Sequence, residues 1–412
     1  MNKENFINDQ MQLSPLNYDP KVTSQLHLAR EITLCDATIR EGAQGSIIGF
    51  TTDEKMEIIK KSAGAGIKFF QIGVAQPPQI PEVKDILNRI KDANLELETE
   101  VLGGAQPSLD DSWKAQLDTN IELGVTYIDV MGLLSPYAYK MYGGLTPEQV
   151  IEHYGKQIAY LVSKGGRVSF DPMDGPRMDF DILMKAYKTA VDAGAERIRI
   201  LDSVGTCSPA AWRYLVSTVR KEFKDVKLGV HCHNDYGQAM ANIYTAIECG
   251  ADFVDVCING LGERAGNPAL AEVAAGAEIL YGINTGVKLN KLCDLSAFVG
   301  DIAKQPPVGN KPIVGDWAFA HGDEGHMMLN QFFPWVFEGI KAEVFGNEQP
   351  ILIGGMSGLF ATKAKLATFG YKDVNNDVVM KILRDIQHET TVRKTVLKDA
   401  SIKRIVERYI QQ

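Results

Sequence analysis

His231-Cys232-His233-Asn234-Asp235 is the run whose residue types and spacing point most directly to chemistry. Residues two apart in a strand face the same side, so both imidazoles can aim at one ion. The structural alternative is a pair of histidines satisfied by hydrogen bonds to loops. Two imidazoles alone hold a catalytic ion weakly, so oxygen donors must join them. Asp36, ending an early β-rich run, is one, unless it only caps the turn that follows. Asn267 is another, closing the run Gly260-Leu261-Gly262-Glu263-Arg264-Ala265-Gly266-Asn267. Its glycines permit close backbone approach, although an Asn before Pro268 is also an ordinary helix cap. Mixed imidazole and oxygen donors with open positions suit Mn²⁺, Mg²⁺, Co²⁺ or Zn²⁺ as a Lewis acid. The loop Asp36-Ala37-Thr38-Ile39-Arg40-Glu41-Gly42-Ala43-Gln44 adds Arg40 as an anion stabiliser and Glu41 as a proton-transfer group.

These residues act together only if the fold brings distant strand ends to one place. Short β-branched or aromatic runs at 32–35, 69–74, 95–101, 127–131, 167–171, 197–201, 227–231 and 253–258 alternate with helical patterns. Eight such runs predict an α/β fold, a (β/α)₈ TIM barrel with a mostly helical C-terminal extension. In a closed barrel the first strand lies beside the eighth, so Asp36 can approach an ion held at the seventh. An open doubly wound sheet needs a Gly-rich phosphate turn, and Cys35-Asp36-Ala37-Thr38 is none. Thr51 with Glu54 reads as a capping box, and Thr146-Pro147 and Ser208-Pro209 as capped starts. Gly66, Gly194 and Gly250 mark helix ends.

The expected organisation is an arm over 1–30, a barrel over 31–285 and an extension over 286–412, ending in an amphipathic stretch at 378–410. Apolar faces in that extension need a partner surface, so a homodimer is expected. Of the 412 residues 45% are hydrophobic, enough for a sizeable core, and a net charge of −9 weighs against nucleic-acid or anionic-membrane partners. No apolar run reaches the length of a membrane span, and the start has no secretion-signal pattern. The six cysteines contain no CxxC pair and read as reduced fillers, which suits a cytoplasmic location.

Asp36-Ala37-Thr38-Ile39-Arg40-Glu41-Gly42-x-Gln44 resembles the signature of the DRE-TIM metallolyases, metal-dependent barrels that use acyl-CoA. His231-x-His233-Asn234-Asp235, Gly260-x-Gly262-Glu263-Arg264-x-Gly266-Asn267 and Asp202-Ser203-Val204-Gly205 resemble further blocks of that family, in the right order. The run Ala320-His321-Gly322-Asp323-Glu324-Gly325-His326 is similar to the post-barrel segment of its isopropylmalate, homocitrate and citramalate synthases and Re-type citrate synthases. Its structural alternative is a surface helix with two solvated histidines. The resemblance implies condensation of acetyl-CoA with a 2-oxo acid, then thioester hydrolysis. It assigns His321 and His326 to proton transfer beside Arg40 and Glu41, and Gln44, Arg177 and Ser203 to substrate contacts. Arg177 can equally be a surface charge. Departures are Met173 where a Glu is usual, no tyrosine near 349–352, and Gly355-Met356-Ser357-Gly358 for Lys-His-Ser-Gly. They point away from a routine isopropylmalate or homocitrate synthase, and oxaloacetate, giving citrate, is the first expectation. A 3-hydroxyacyl-CoA lyase and a barrel retained only for binding are the alternatives.

Overall fold

The computed structural model describes residues 6–45, 48–105, 113–137 and 144–410. A short helix, α1 (Pro20–Thr23), precedes eight parallel strands: β1 (Thr33–Asp36), β2 (Phe69–Val74), β3 (Glu98–Gly103), β4 (Tyr127–Gly132), β5 (Val168–Pro172), β6 (Arg197–Asp202), β7 (Lys227–Cys232) and β8 (Phe253–Val256). Each pairs with the next, and β8 pairs with β1, so the sheet closes into a barrel. Helices α2 (Thr52–Gly64), α3 (Ile80–Asp92), α4 (Trp113–Glu122), α5 (Pro147–Ser163), α6 (Phe180–Asp192), α7 (Pro209–Glu222) and α8 (Ala239–Glu248) alternate with the strands. After β8 come α9 (Leu270–Leu280) and α10 (Leu292–Ala303). The (β/α)₈ expectation holds.

Local chemistry sets these boundaries. Thr51 and Glu54 form the reciprocal capping box at the start of α2, and Thr146 with Gln149 forms another before Pro147. Ser208 caps α7 through the Ala211 amide. Two strands, β3 and β8, differ from the sequence reading by more than one residue at an end. β3 starts at Glu98, because Asn94 takes a left-handed φ of 51° and the Leu95 amide closes α3 on the Ile90 carbonyl. β8 stops at Val256, where the chain enters a tight turn over Ile258–Gly260 with Asn259 at φ 59°.

Inside the barrel the side chains form layers. At the amino-terminal end the Arg197 guanidinium lies over the rings of Phe69, Tyr127 and Phe253, at 4.7, 3.6 and 5.1 Å. Above it, where such barrels usually place branched apolar residues, stand Gln71, Glu100, Asp129, Asp171, Arg199 and Asp255, all buried.

Contacts divide the chain into two compact units, Leu16–Pro306 and a second made of Pro307–Gln412 with the segment before Leu16. The second unit holds α11 (Glu324–Phe332), α12 (Leu359–Thr368), α13 (Asn376–Arg393) and α14 (Asp399–Val406). Its core joins Ala361 and Leu366 of α12 to Val379, Ile382 and Ile386 of α13 and Ile402 and Ile405 of α14. The amphipathic stretch read over 378–410 is thus two helices, parted where Lys394 turns left-handed at φ 52°. The early segment belongs here too: the Gln12 amide donates to the Gly339 carbonyl, and Met11 bridges to Ile340.

Candidate metal centre and active site

Leaving β1, the chain turns at once: the amides of Arg40, Glu41 and Gly42 all donate to the Ala37 carbonyl. This turn carries Glu41 to the strand ends of β7. There the ligand atoms of Glu41, His231 and His233 all lie within 4.8 Å of one another, and all three residues are buried. Glu41, read from the sequence as a proton-transfer group, is therefore placed to be a ligand. Asp36, read as a ligand, is outside that cluster. Its Oδ1 accepts from the Thr38 amide at 2.9 Å and the Thr38 hydroxyl at 2.5 Å. Its Oδ2 is buried without a partner. Asn267 is similar: its Nδ2 donates to the Leu261 carbonyl at 3.2 Å, while its buried Oδ1 has no partner. A Cβ on Gly262 (φ 152°) would sit 2.0 Å from the Asn267 Nδ2 and 3.6 Å from the Glu41 Cγ, so only glycine lets this loop close over both.

The electrostatics favour a cation. Burial raises the Asp255 carboxyl, but Arg199 and His231 outweigh it and hold Asp255 below its usual range. The ionised Asp255 accepts a 2.9 Å hydrogen bond from the His231 Nδ1–H, which leaves a lone pair on Nε2. That Nε2 faces the His233 Nε2 at 3.2 Å, and the Glu41 Oε1 is 3.5 Å from the latter. Burial and His231 push His233 down to about 3, so it is neutral. Burial pushes Glu41 up, yet Arg40, His231 and His233 bring it below its usual value. If His233 carries its proton on Nδ1, two lone pairs and a carboxylate converge on one point. That N,N,O set fits a divalent ion, and the partnerless oxygens of Asp36 and Asn267 are further donors of the right kind.

Arg40 is held by Glu41 and by Gln71, whose Oε1 accepts from its Nε at 3.1 Å. The Gln71 amide donates onward to Glu100 at 3.0 Å and Asp255 at 3.1 Å. A cavity of about 240 Å³ opens beside these groups, with Arg40, Gln44 and Ser203 on its walls. Arg177 does not line it. That residue pairs with Asp174 at 2.6 Å, lies over the Tyr137 ring and is 38% exposed. In the second unit His321 is 3.8 Å from Glu338, and His326 stacks on Phe337 with ring centroids 4.0 Å apart.

Sequence reading missed Gln71, Glu100, Asp129, Arg199 and Asp255. One signal could have found Gln71, Asp129 and Asp255: each is a lone polar residue inside a short apolar or β-branched run, whereas Glu100 and Arg199 lie in runs that carry further charges, Glu98 and Arg197.

Comparison with known proteins agrees with this geometry. The HMGL-like family profile matches residues 31–299. The chain is 34% identical over 392 residues to 2-isopropylmalate synthase of Methanocaldococcus jannaschii, covering 94% of this chain and 73% of that protein. It is 31% identical over 395 residues to homocitrate synthase AksA of Methanopyrus kandleri, covering 96% of each. The crystal structure of the Bacillus subtilis HMG-CoA lyase superposes with a TM-score of 0.58 at 18% identity, over 68% of this chain and 96% of that one, a likeness of fold. With a family match over most of its length and relatives along nearly all of it, the chain belongs to the HMGL-like, or DRE-TIM, family.

Proposed function

We propose that the protein is an acyltransferase that condenses acetyl-CoA with a small 2-oxo acid and hydrolyses the thioester to release CoA. The observation that carries this is the convergence of Glu41 and the two Nε2 atoms over a small cavity also walled by Arg40. Glu41, His231 and His233 hold a divalent ion (Mn²⁺, Mg²⁺, Co²⁺ or Zn²⁺), joined by Asp36 and Asn267. Such an ion supplies Lewis acidity toward a carbonyl oxygen. Asp255 fixes the His231 tautomer. Gln71 and Glu41 fix the Arg40 guanidinium, which stabilises negative charge developing on an enolate or alkoxide oxygen. Gln44 and Ser203 orient the acid. The resemblance of the run 320–326 to the post-barrel segment of such synthases supports His321, with His326 as second choice, in proton transfer. Synthases of isopropylmalate and homocitrate are the relatives that support this reading over a 3-hydroxyacyl-CoA lyase or an inactive binding barrel.

The assembly follows from the second unit. Helix α11 buries none of its residues, and Phe332 at its end, with Phe333 and Val336 after it, is 65% exposed against 63% and 59% for the other two. Such a patch is covered in a homodimer. All six cysteines are free, in keeping with the cytoplasm. Among the described residues no helix is long and apolar enough to cross a membrane. The test is thiol release from acetyl-CoA with and without a 2-oxo acid. Release that ignores the oxo acid, or cleavage of a 3-hydroxyacyl-CoA instead, overturns the reading.

A further inference from the structure

The floor of the cavity bears on which acid enters it. Leu102, Met131, Met173 and Leu201 line the cavity together with His231 and His233, and Asp129, Asp171 and Arg199 lie on the same lining. Arg199 is a single guanidinium among four carboxylates. Its Nη2 meets Glu100 at 2.8 Å, its Nη1 meets Asp129 at 3.2 Å and also Asp171, and its Nε is 3.3 Å from Asp255. Among the described residues lining the cavity, the other cations are also engaged. Arg40 is taken by Glu41 and Gln71, and Arg264 by Asp235 at 2.7 Å and the Ser203 carbonyl at 2.8 Å. Asp129, 1% exposed, keeps an Oδ1 with no partner. The Asp171 Oδ1 accepts from the Ser169 hydroxyl at 3.0 Å, and a carboxylate oxygen has room for a second donor.

A buried carboxylate is tolerated only when a cation or several donors meet it. A dicarboxylic oxo acid would bring a second carboxylate to a floor that already holds more carboxylates than cations. An aliphatic tip would suit the walls, yet would leave the Asp129 oxygen without a partner. A hydrogen-bond donor satisfies both wall and floor.

Resting on the condensation reading, we propose that the 2-oxo acid is a monocarboxylate whose side chain ends in a hydroxyl or ammonium donor, bound by Asp129 and Asp171. Oxaloacetate, the expectation from the sequence, is disfavoured by the same chemistry. The experiment measures kcat/KM for thiol release by the Mn²⁺-loaded full chain with four acids of similar length. These are 4-hydroxy-2-oxobutanoate, 4-amino-2-oxobutanoate, 2-oxopentanoate and 2-oxoglutarate, with oxaloacetate added as a fifth. The better donor-tipped acid is expected to exceed both the methyl-tipped and the dicarboxylic acids at least tenfold, about 1.4 kcal/mol. It also raises Tm without acetyl-CoA more than the others do. Asp129→Asn and Asp171→Asn are expected to shrink that ratio, with Mn²⁺ binding and Tm confirming that each variant is folded. A ratio below tenfold, or a dicarboxylate or 2-oxopentanoate in first place, overturns the proposal and leaves the condensation chemistry standing. Release with none of the acids removes the condensation reading and this inference together.

Discussion

At the scale of single residues, the centre depends on side chains that hold other side chains. Asp255 is not part of the ligand cluster, yet its 2.9 Å bond to His231 Nδ1 decides which ring nitrogen has the lone pair. Asp255→Asn is therefore expected to weaken Mn²⁺ binding about 10- to 100-fold, measured by calorimetric titration; unchanged affinity would mean the tautomer is set elsewhere. His233→Ala removes one ligand outright and is expected to lose both stoichiometric metal and thiol release, read by elemental analysis and a thiol assay. The His231 and His233 pair was legible because its two members adjoin in sequence and strand periodicity aims both inward. Glu41 was legible as a functional residue but its nearness to the imidazoles was not, since only the turn onto the Ala37 carbonyl shows that it reaches them. Asp255 and Gln71 were passed over: a polar residue inside an apolar run marks an inward-facing position, but their partners come from other strands, so no local pattern gives their role.

At the scale of elements, the strands and their capped helices were readable because each boundary has a local cause, a capping oxygen, a proline or a left-handed residue. Thr51→Ala removes the Thr51 side-chain half of a capping box that the structure shows complete. The expected cost is about 1 kcal/mol, seen as a lower midpoint in urea denaturation with an unchanged slope. What escaped was the β8 exit, where Cys257 and Ile258 keep strand-like composition while backbone bonds to Pro268 and Leu270 fold the chain away. That exit starts the loop that brings Asn267 near Glu41. Gly262→Ala places a Cβ against the Asn267 amide at a φ of 152°. It is expected to lower metal affinity while the barrel keeps its far-UV circular dichroism; normal affinity would remove Asn267 from the ligand set.

At the scale of the whole molecule, the barrel followed from counting alternations, whereas the second unit had no repeat to count. Its helices were visible only as apolar periodicity, and the left-handed break at Lys394 has no glycine to announce it. The exposed Phe332 and Phe333 at the end of α11 predict a homodimer. Replacing both with serine is expected to shift the sedimentation coefficient toward a monomer, and a wild-type monomer at micromolar concentration would count against the patch as an interface. One measurement tests the central claim most directly: thiol release from acetyl-CoA in the presence of a 2-oxo acid, after exhaustive chelation and again after adding Mn²⁺. The account predicts no release from metal-free protein, recovery on adding the ion, and no release at any stage without the oxo acid. Full turnover by rigorously metal-free protein would contradict it.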